Sequence, residues 1–226
     1  MVRKAVVTGH TRGLGAAIAE QLTASGWSVL GLARTGDEPV DLGDPSALVA
    51  WLGSGRLAAF LSDADEIWLV NNAGVLGPAV VAGRQDADAT VGAVNLNVTA
   101  PILLSDGVLR HRPRGVPVRI GHISSGAGRR PLPGWSVYCA TKAALDHHAV
   151  TVASERHDGV RIAAVAPGVV DTGMQEEIRS SAGFPLREDF VGLKERGELA
   201  SPTAAAAAVI RLMGSDDFGE QPITRV

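Results

Sequence analysis

The stretch Thr8-Gly9-His10-Thr11-Arg12-Gly13-Leu14-Gly15 follows a short apolar, β-branched run and leads into a segment with apolar residues at helical spacing. A strand, a glycine-rich turn and a helix in that order are typical of a dinucleotide-binding unit. Gly9 permits the tight turn, Gly13 lets the backbone approach a pyrophosphate, and Gly15 lets helix and strand pack closely. On the three glycines alone, a plain strand–helix turn stays the alternative.

Short apolar runs alternate with longer helical patterns along the whole chain. Strands are predicted at 4–8, 28–33, 39–41, 66–70, 116–123, 160–165 and 221–226, and helices at 14–25, from 45 onward behind Asp44 as N-cap, at 84–109 with a break near Pro101, at 137–157 and at 203–213. This alternation predicts an α/β fold, a Rossmann-type doubly wound parallel sheet flanked by helices, in a single domain over 1–226. In such a sheet, ligands bind beyond the carboxyl ends of the strands.

Composition and charge narrow the class of protein. The 226 residues carry a net charge of -3 without a basic block, which argues against nucleic acid and anionic membranes as partners. We find no signal peptide and no uncharged apolar run of membrane-spanning length. Cys139 is the one cysteine, so no intrachain disulfide forms, and we expect a cytoplasmic protein. His147 and His148 are adjacent, which does not suit a metal site and predicts helix-surface or oligomer-interface positions.

The end of the second predicted strand bears on the choice of cofactor. An acidic residue there would bind the ribose hydroxyls of NAD, but the strand ends in Arg34. A guanidinium offers a planar fork of donors that suits a 2′-phosphate, and Arg12 in the glycine turn could reach the same phosphate. The pair therefore favours NADP(H), the alternative being two solvated surface arginines.

Tyr138 and Lys142 are four residues apart, on one face of a predicted helix. A nearby ammonium is expected to favour the phenolate and to bring the pKa of the phenol toward working pH, as acid–base catalysis needs. The pair uses the only tyrosine of the chain, and Ser125 lies 13 residues upstream, just after a strand. The alternative is a partly buried tyrosine beside a surface lysine.

The spacing TGxxxGxG from Thr8, the YxxxK pattern from Tyr138 and four further motifs occur in an order that resembles the short-chain dehydrogenase/reductase family. The resemblance covers residues 5 to about 172. It implies that Ser125, rather than the adjacent Ser124, bonds the substrate oxygen. It also implies that an asparagine, Asn97 rather than Asn95, holds water in a proton relay to the lysine. The implied catalytic residues are Asn97, Ser125, Tyr138 and Lys142.

The same resemblance implies a cofactor site that runs along the strand ends. Asp41 and Leu42 would contact the adenine, Asn72-Ala73-Gly74 would line the adenine-ribose side, and the segment from Pro167 to Thr172 would hold the nicotinamide amide. The full set of implied cofactor-binding residues is Gly9, Thr11, Arg12, Gly13, Leu14, Gly15, Arg34, Asp41, Leu42, Asn72, Ala73, Gly74, Tyr138, Lys142, Pro167, Gly168, Val170 and Thr172.

Several motifs of the second half are similar to the sepiapterin reductase and benzil reductase branch of that family. They are Ile123-Ser124-Ser125, Pro133-Gly134-Trp135, Tyr138-Cys139-Ala140, Lys142-Ala143-Ala144 and Asp171-Thr172-Gly173-Met174-Gln175. This likeness implies a substrate lid at 172–200, a pocket lined by Ser125, Trp135 and Met174, and hydride transfer from NADPH to a ketone or vicinal diketone. Sepiapterin reductases continue to an acidic pterin anchor, whereas this sequence ends at Ile223-Thr224-Arg225-Val226, so we expect no pterin reduction.

Two other functions stay possible on the sequence. A non-catalytic NADP(H)-binding sensor would usually have lost Tyr138 or Lys142, and an alcohol dehydrogenase working in the oxidative direction fits NADP(H) less well. The resemblance also implies a homodimer or homotetramer formed through the long helices at 90–109 and 137–157. The expected partner is thus a small-molecule carbonyl substrate.

Overall fold

The computed structural model describes residues 1–36, 38–181 and 183–226. In that part of the chain, seven strands form one sheet in the order β3-β2-β1-β4-β5-β6-β7, and every neighbouring pair is parallel. The strands are β1 Arg3–Thr8, β2 Ser28–Ala33, β3 Glu38–Pro39, β4 Glu66–Asn71, β5 Val118–Ile123, β6 Val160–Ala166 and β7 Ile223–Arg225. The order reverses between β1 and β4, as in a doubly wound nucleotide-binding sheet, which confirms the predicted fold class.

Helices cover both faces of the sheet. They are α1 Gly13–Ala24, α2 Pro45–Gly53, α3 Arg56–Leu61, α4 Ala87–Val94, α5 Ala100–His111, α6 Ser136–Ser154, α7 Gly173–Ser180, α8 Arg187–Glu195 and α9 Pro202–Gly214. The helices α1 and α9 pack on one face, and α2, α3, α5 and α6 pack on the other. Consecutive residues of β1 show why both faces need cover, since Val6 is buried in one core and Val7 in the other.

The local signals at the helix ends act as the sequence predicts. Asp44 caps α2 by accepting hydrogen bonds from the amides of Ser46 and Ala47, and Pro45 takes the first helical position. The segment 172–200, which the resemblance implies as a substrate lid, contains α7 and α8, and the chain between these two helices includes Gly183 and Phe184.

The predicted break near Pro101 is wrong in its form. The helix runs without interruption from Ala87 to His111, and the irregularity is a π-helical turn at Asn95–Thr99 between α4 and α5. Because proline has no N–H, the carbonyl of Asn97 cannot receive the usual bond from residue 101. The wider turn accommodates the proline without ending the helix.

This continuous helix, Ala87–His111, is long and apolar enough to cross a membrane, with a mean hydropathy of 1.2. However, 44% of its most apolar stretch is buried inside the protein, against the sheet. A buried core helix meets the same criteria, so the observation is weak evidence for a membrane span.

His147 and His148 differ in exposure, and a half-buried His148 does not fit the helix-surface part of the prediction, whereas the oligomer-interface alternative stays a prediction. His147 is exposed, but His148 is half-buried and its Nδ1 lies 3.0 Å from Nε2 of the fully buried His122 on β5. His148 lies beside Leu145 and Ala149, which are core residues on the face of α6 that packs against the sheet. Among the described residues, no group of three or more histidine, cysteine or acidic side chains could hold a metal ion.

Candidate active site

A cleft of about 1430 Å³ runs along the carboxyl ends of the strands. Every residue that the sequence assigns to the cofactor or the substrate pocket lines this cleft, except Gly15. Gly15 lies behind it, where a Cβ atom would come within 2.2 Å of the carbonyl oxygen of Gly9. That close approach of helix and strand needs glycine, and it is the packing role predicted for this position.

The glycine turn is anchored to the end of β4. The hydroxyl of Thr8 accepts hydrogen bonds from the amides of Asn72 and Ala73, both at 2.9 Å, and the side-chain amide of Asn72 donates to the carbonyl of Thr8 at 3.0 Å. The side chain of Asn72 therefore serves the turn, while the Asn72-Ala73-Gly74 segment still lines the cleft.

The first turn of α1 suits an anionic group. Among the described residues it has no side-chain cap, and its first turn has no acidic residue, so its leading amides are available to an anion in the cleft. Gly9 and Gly13 have φ values of +66° and +56°, the left-handed region that favours glycine, and without side chains they leave the approach open. The residues present thus fit a dinucleotide pyrophosphate, and Gly13 faces Thr172 across the site.

The two arginines lie at different places along the cleft. Arg34 is exposed just past β2, whereas a guanidinium nitrogen of Arg12 lies 3.7 Å from the Cβ position of Gly173, at the start of α7. Within residues 1–36, 38–181 and 183–226, neither forms an ion pair. Nearby, Leu42 is buried and the exposed Asp41 accepts from the amide of Gly43.

Tyr138, Lys142 and Ser125 meet on the wall of the cleft. Tyr138 and Lys142 are one turn apart on α6, and the ammonium of Lys142 lies 5.5 Å from the centroid of the Tyr138 ring. Ser125 follows β5, and its hydroxyl accepts from the amide of Ala127 at 3.1 Å and lies close enough to the phenol of Tyr138 for an interaction that lowers the pKa of the phenol. The structure thus brings the three predicted residues together.

The electrostatics of Tyr138 differ from the expectation. Burial raises the pKa of the phenol to about 12, although the hydrogen bond with Ser125 opposes this shift. Lys142 does not lower that pKa as predicted, because its ammonium donates to the carbonyl of Ile123 at 2.8 Å instead of to the phenol. At neutral pH the phenol is protonated, which suits a proton donor.

Lys142 itself is 4% exposed. Burial lowers its pKa to about 8, and the negative charge of Asp146, one turn further along α6, opposes that shift. The ammonium therefore begins to lose its proton only slightly above neutral pH.

Asn97 lies in the π turn and is fully buried behind the cleft wall. Its side-chain oxygen accepts from the amide of Val75 at 2.9 Å, and its nitrogen donates to the Val75 carbonyl at 2.8 Å and to the Thr141 hydroxyl at 3.1 Å. The side-chain amide thus joins the segment after β4 to α6. The backbone carbonyl of Asn97 cannot receive the usual helical bond from residue 101, because that residue is proline.

Sequence reasoning missed two residues, Asp146 and Arg129, that hold the segment around Ser125. Ser124, interpreted as the less probable of two serines, donates its hydroxyl to the buried carboxylate of Asp146 at 2.5 Å, and Arg129 lies 3.4 Å from the other oxygen. The only signal was the acidic residue four positions after Lys142, on the same helical face.

An aromatic cluster forms one wall of the cleft. Trp135 stacks on Phe184 with 4.7 Å between ring centroids and lies 5.2 Å from Phe190 and 5.3 Å from Tyr138. Met174 packs against the same cluster, so two of the three predicted pocket residues, Trp135 and Met174, lie there. Phe184 and Phe190 were missed, because two apolar residues in the polar stretch 174–199 give no helical or strand period.

The segment after β6 closes the opposite side of the cleft. Val170 is paired with Ala200, the amide of Asp171 donates to the carbonyl of Ala200 at 2.9 Å, and Asp171 forms an ion pair with Lys194 on α8. These contacts connect the strand end to the segment predicted as a lid.

The sheet order, the glycine turn and the Tyr138–Lys142 pair define a nicotinamide-dependent oxidoreductase of the short-chain type. A family model described as short chain dehydrogenase matches residues 59–183. The chain belongs to the short-chain dehydrogenase/reductase family.

Individual relatives indicate which members of the family the chain resembles. A benzil reductase ((S)-benzoin forming) of Bacillus cereus is 32% identical over 100% of this chain and 99% of its own, and the sepiapterin reductase of Bos taurus is 32% identical over 94% and 92%. A short-chain dehydrogenase/reductase structure from Burkholderia vietnamiensis is 40% identical, with a TM-score of 0.72 over 97% of this chain and 94% of that one. A short chain dehydrogenase from Burkholderia cenocepacia in complex with NADP is 26% identical, with a TM-score of 0.79 over 99% and 96%.

Proposed function

We propose that this protein is an NADPH-dependent carbonyl reductase that acts on a ketone or vicinal diketone. The observation that carries the proposal is the meeting of Ser125, Tyr138 and Lys142 on one wall of the cleft, with the ammonium of Lys142 5.5 Å from the centroid of the Tyr138 ring. The family and its benzil reductase relatives support carbonyl reduction as the reaction.

The residues divide the work as follows. Ser125 and Tyr138 hold the substrate oxygen between their hydroxyls, and Tyr138 donates its proton as negative charge develops there. NADPH, when bound, supplies the hydride to the carbonyl carbon. The ammonium of Lys142 lies 5.5 Å from the centroid of the Tyr138 ring but donates to the carbonyl of Ile123 and does not lower the pKa of the phenol before substrate binds. We propose that its positive charge favours the phenolate only once the proton has moved to the substrate oxygen.

Proton return uses groups behind the wall. The backbone carbonyl of Asn97 lacks a bond from Pro101, and the side-chain oxygen of Asn97 lies beside Gly74, whose Cβ position is 3.7 Å from the Lys142 ammonium. A water held by that carbonyl would pass a proton toward Lys142.

Preference for NADPH over NADH rests on Arg34. It is exposed just past the end of β2, where the sequence has an arginine instead of the acidic residue that would bind the ribose hydroxyls of NAD, and it suits a 2′-phosphate. The neighbouring structure with bound NADP supports the same cofactor. Arg12 would contribute after swinging away from Gly173.

The aromatic cluster favours substrates with an aryl group. Trp135 and Phe190 line the cleft and offer their rings to a flat apolar group, with the buried Phe184 stacked on Trp135, and aromatic pairs of this kind add to area burial. The two Bacillus relatives are benzil reductases that form (S)-benzoin, which supports an aryl diketone as the substrate.

Assembly and location stay predictions. Apolar side chains are exposed on the long helices named for the oligomer, namely Val91 at 58%, Val94 at 40%, Ile102 at 37% and Val150 at 38%. Burial of such side chains between copies would stabilise a homodimer or homotetramer. The molar mass in solution, measured by light scattering, tests this assembly. The cytoplasmic location stays an expectation from the sequence.

The experiment for the proposed function follows NADPH oxidation, with NADH in parallel, against benzil, other vicinal diketones, simple ketones and sepiapterin. We expect turnover with aryl diketones and NADPH, and little with sepiapterin. Tight NADPH binding without turnover on any carbonyl would contradict the reductase proposal and favour a sensor.

A further inference from the structure

Asp146 is the one buried carboxylate among the described residues, at 4% exposure, and the mechanism above does not use it. The helix α6 places Tyr138, Lys142 and Asp146 at intervals of four residues on the face that packs toward β5. Burial of a charge is costly unless partners compensate for it, so the partners of Asp146 define what it does.

Two of those partners flank Ser125. The hydroxyl of Ser124 donates to one carboxylate oxygen at 2.5 Å, and Nε of Arg129 lies 3.4 Å from the other. Between them, Gly128 approaches α6 so closely that a Cβ atom would lie 2.9 Å from the same Asp146 oxygen. The segment 124–129 that carries Ser125 is therefore fastened to α6 near both of its ends.

The third partner is Lys142. Burial depresses the pKa of its ammonium, and Asp146 is the group that opposes this. The other titratable groups that face this lysine are Tyr138 on α6 and His122 on β5. Burial keeps the pKa of His122 near 3, so its ring is neutral wherever Lys142 titrates. Arg129 contacts the carboxylate from the far side.

We propose that Asp146 is a positioning residue for carbonyl reduction, whose carboxylate fastens the Ser125 segment to α6 through Ser124 and Arg129 and holds Lys142 in its ammonium form. The catalytic meaning of this role rests on the proposed function. The two parts of this role, fastening the Ser125 segment and keeping Lys142 in its ammonium form, can be tested by different substitutions. Asp146→Asn removes the charge but keeps an oxygen acceptor, whereas Ser124→Ala removes the hydrogen bond but keeps the charge.

The chain allows a direct test, because Lys4, Lys142 and Lys194 are its only lysines. With ¹³C-labelled lysine, an NMR titration without cofactor or substrate follows three signals, which Lys4→Arg and Lys194→Arg assign. We expect the Lys142 midpoint at about 8 in the wild type and lower by about 0.5 unit or more in Asp146→Asn. Ser124→Ala should leave it in place.

Asp63→Asn is the matched control. Asp63 is exposed and lies 3.1 Å from the ammonium of Lys4, so this variant removes a carboxylate elsewhere in the chain and should leave the Lys142 midpoint unchanged. An unchanged Lys142 midpoint in Asp146→Asn overturns the charge half of the proposal.

Activity tests the other half. Ser124→Ala should lower kcat several-fold without changing the Kd of NADPH, and Asp146→Asn should also move the alkaline limb of kcat to lower pH. Wild-type kcat in Ser124→Ala overturns the fastening role, and this variant serves even if Asp146→Asn does not fold. A wild-type protein that reduces no carbonyl would contradict the proposed function instead, while the lysine titration still decides the charge.

Discussion

Ser125 and Tyr138 line the same cleft, and the Ser125 hydroxyl lowers the pKa of the phenol, although the two residues are 13 positions apart and belong to different elements. Ser125 follows β5 and Tyr138 lies in the first turn of α6. Both hydroxyls face the cleft, so a carbonyl oxygen between them would contact two donors at once.

Ser125→Ala is therefore expected to lower kcat/KM by roughly 10²–10³, the usual effect of removing one donor to a developing oxyanion. Its neighbour provides the comparison, because the Ser124 hydroxyl faces Asp146 and Ser124→Ala should cost only several-fold. Steady-state reduction of an aryl diketone measures both variants. An equal loss in the two would show that the Ser125 assignment is wrong.

Arg34→Asp should weaken NADPH binding by on the order of 2–3 kcal/mol, roughly 30–150-fold in Kd, because a charge-assisted pair is lost. NADH, which lacks the 2′-phosphate, should bind nearly as before. Fluorescence titration with both cofactors measures the change. Arg114→Asp, with the same charge change at an exposed position before β5, is the control, and an unaltered cofactor preference in Arg34→Asp would count against the assignment.

Phe190→Ala should raise KM for aryl diketones and leave the Kd of NADPH unchanged. Its ring lines the cleft 5.2 Å from Trp135, and loss of an aromatic contact of this kind costs about 1 kcal/mol or more, which is several-fold in KM. Phe60→Ala, on α3 and away from the cleft, provides a control for general destabilisation. Unchanged KM in Phe190→Ala would remove the aromatic cluster from substrate recognition.

The burial of a neutral His122 predicts that the free energy of unfolding decreases in acid. The side-chain amide of Asn71 faces its Nδ1 at 3.1 Å and His148 faces its Nε2 at 3.0 Å, so the neutral ring uses both nitrogens. Burial lowers its pKa from 6.5 to about 3, with His148 and Lys142 adding to the shift. Between these values the unfolded chain binds a proton that the folded chain does not, so the stability contribution is lost as pH falls from 6.5 toward about 3.

One such proton changes the free energy of unfolding by about 1.4 kcal/mol per pH unit. His122→Gln should therefore unfold with a shallower dependence on pH in this window, as measured by denaturant titration. His147→Gln, at an exposed position on α6, should keep the wild-type slope. Equal slopes in all three proteins would contradict the burial of a neutral His122.

Local signals explain which features the sequence could predict. The strands, the cap at Asp44 and the glycine turn depend on periodicity and on backbone conformations that few residues adopt, and each acts within a few positions. The cleft residues could be predicted because the carboxyl ends of parallel strands meet at one edge. The resemblance to the family supplied their register.

The remaining features depend on tertiary contacts that no local pattern reports. The side-chain partners of Asn97 lie in the segment after β4 and on α6. The position of His148 on α6 depends on its contact with His122 on β5, and the high pKa of Tyr138 follows from desolvation. Each involves residues far apart in the chain, so spacing alone could not predict them.

The most direct test of the account is NADPH-dependent reduction of benzil by Tyr138→Phe beside the wild type, with NADPH binding measured on both proteins. The phenyl ring keeps the packing against Trp135 and removes only the proton donor. We predict that turnover falls by roughly 10²–10⁴, the usual contribution of a general acid, while NADPH binds as before. Wild-type turnover in Tyr138→Phe would contradict the central claim that this phenol protonates the carbonyl oxygen.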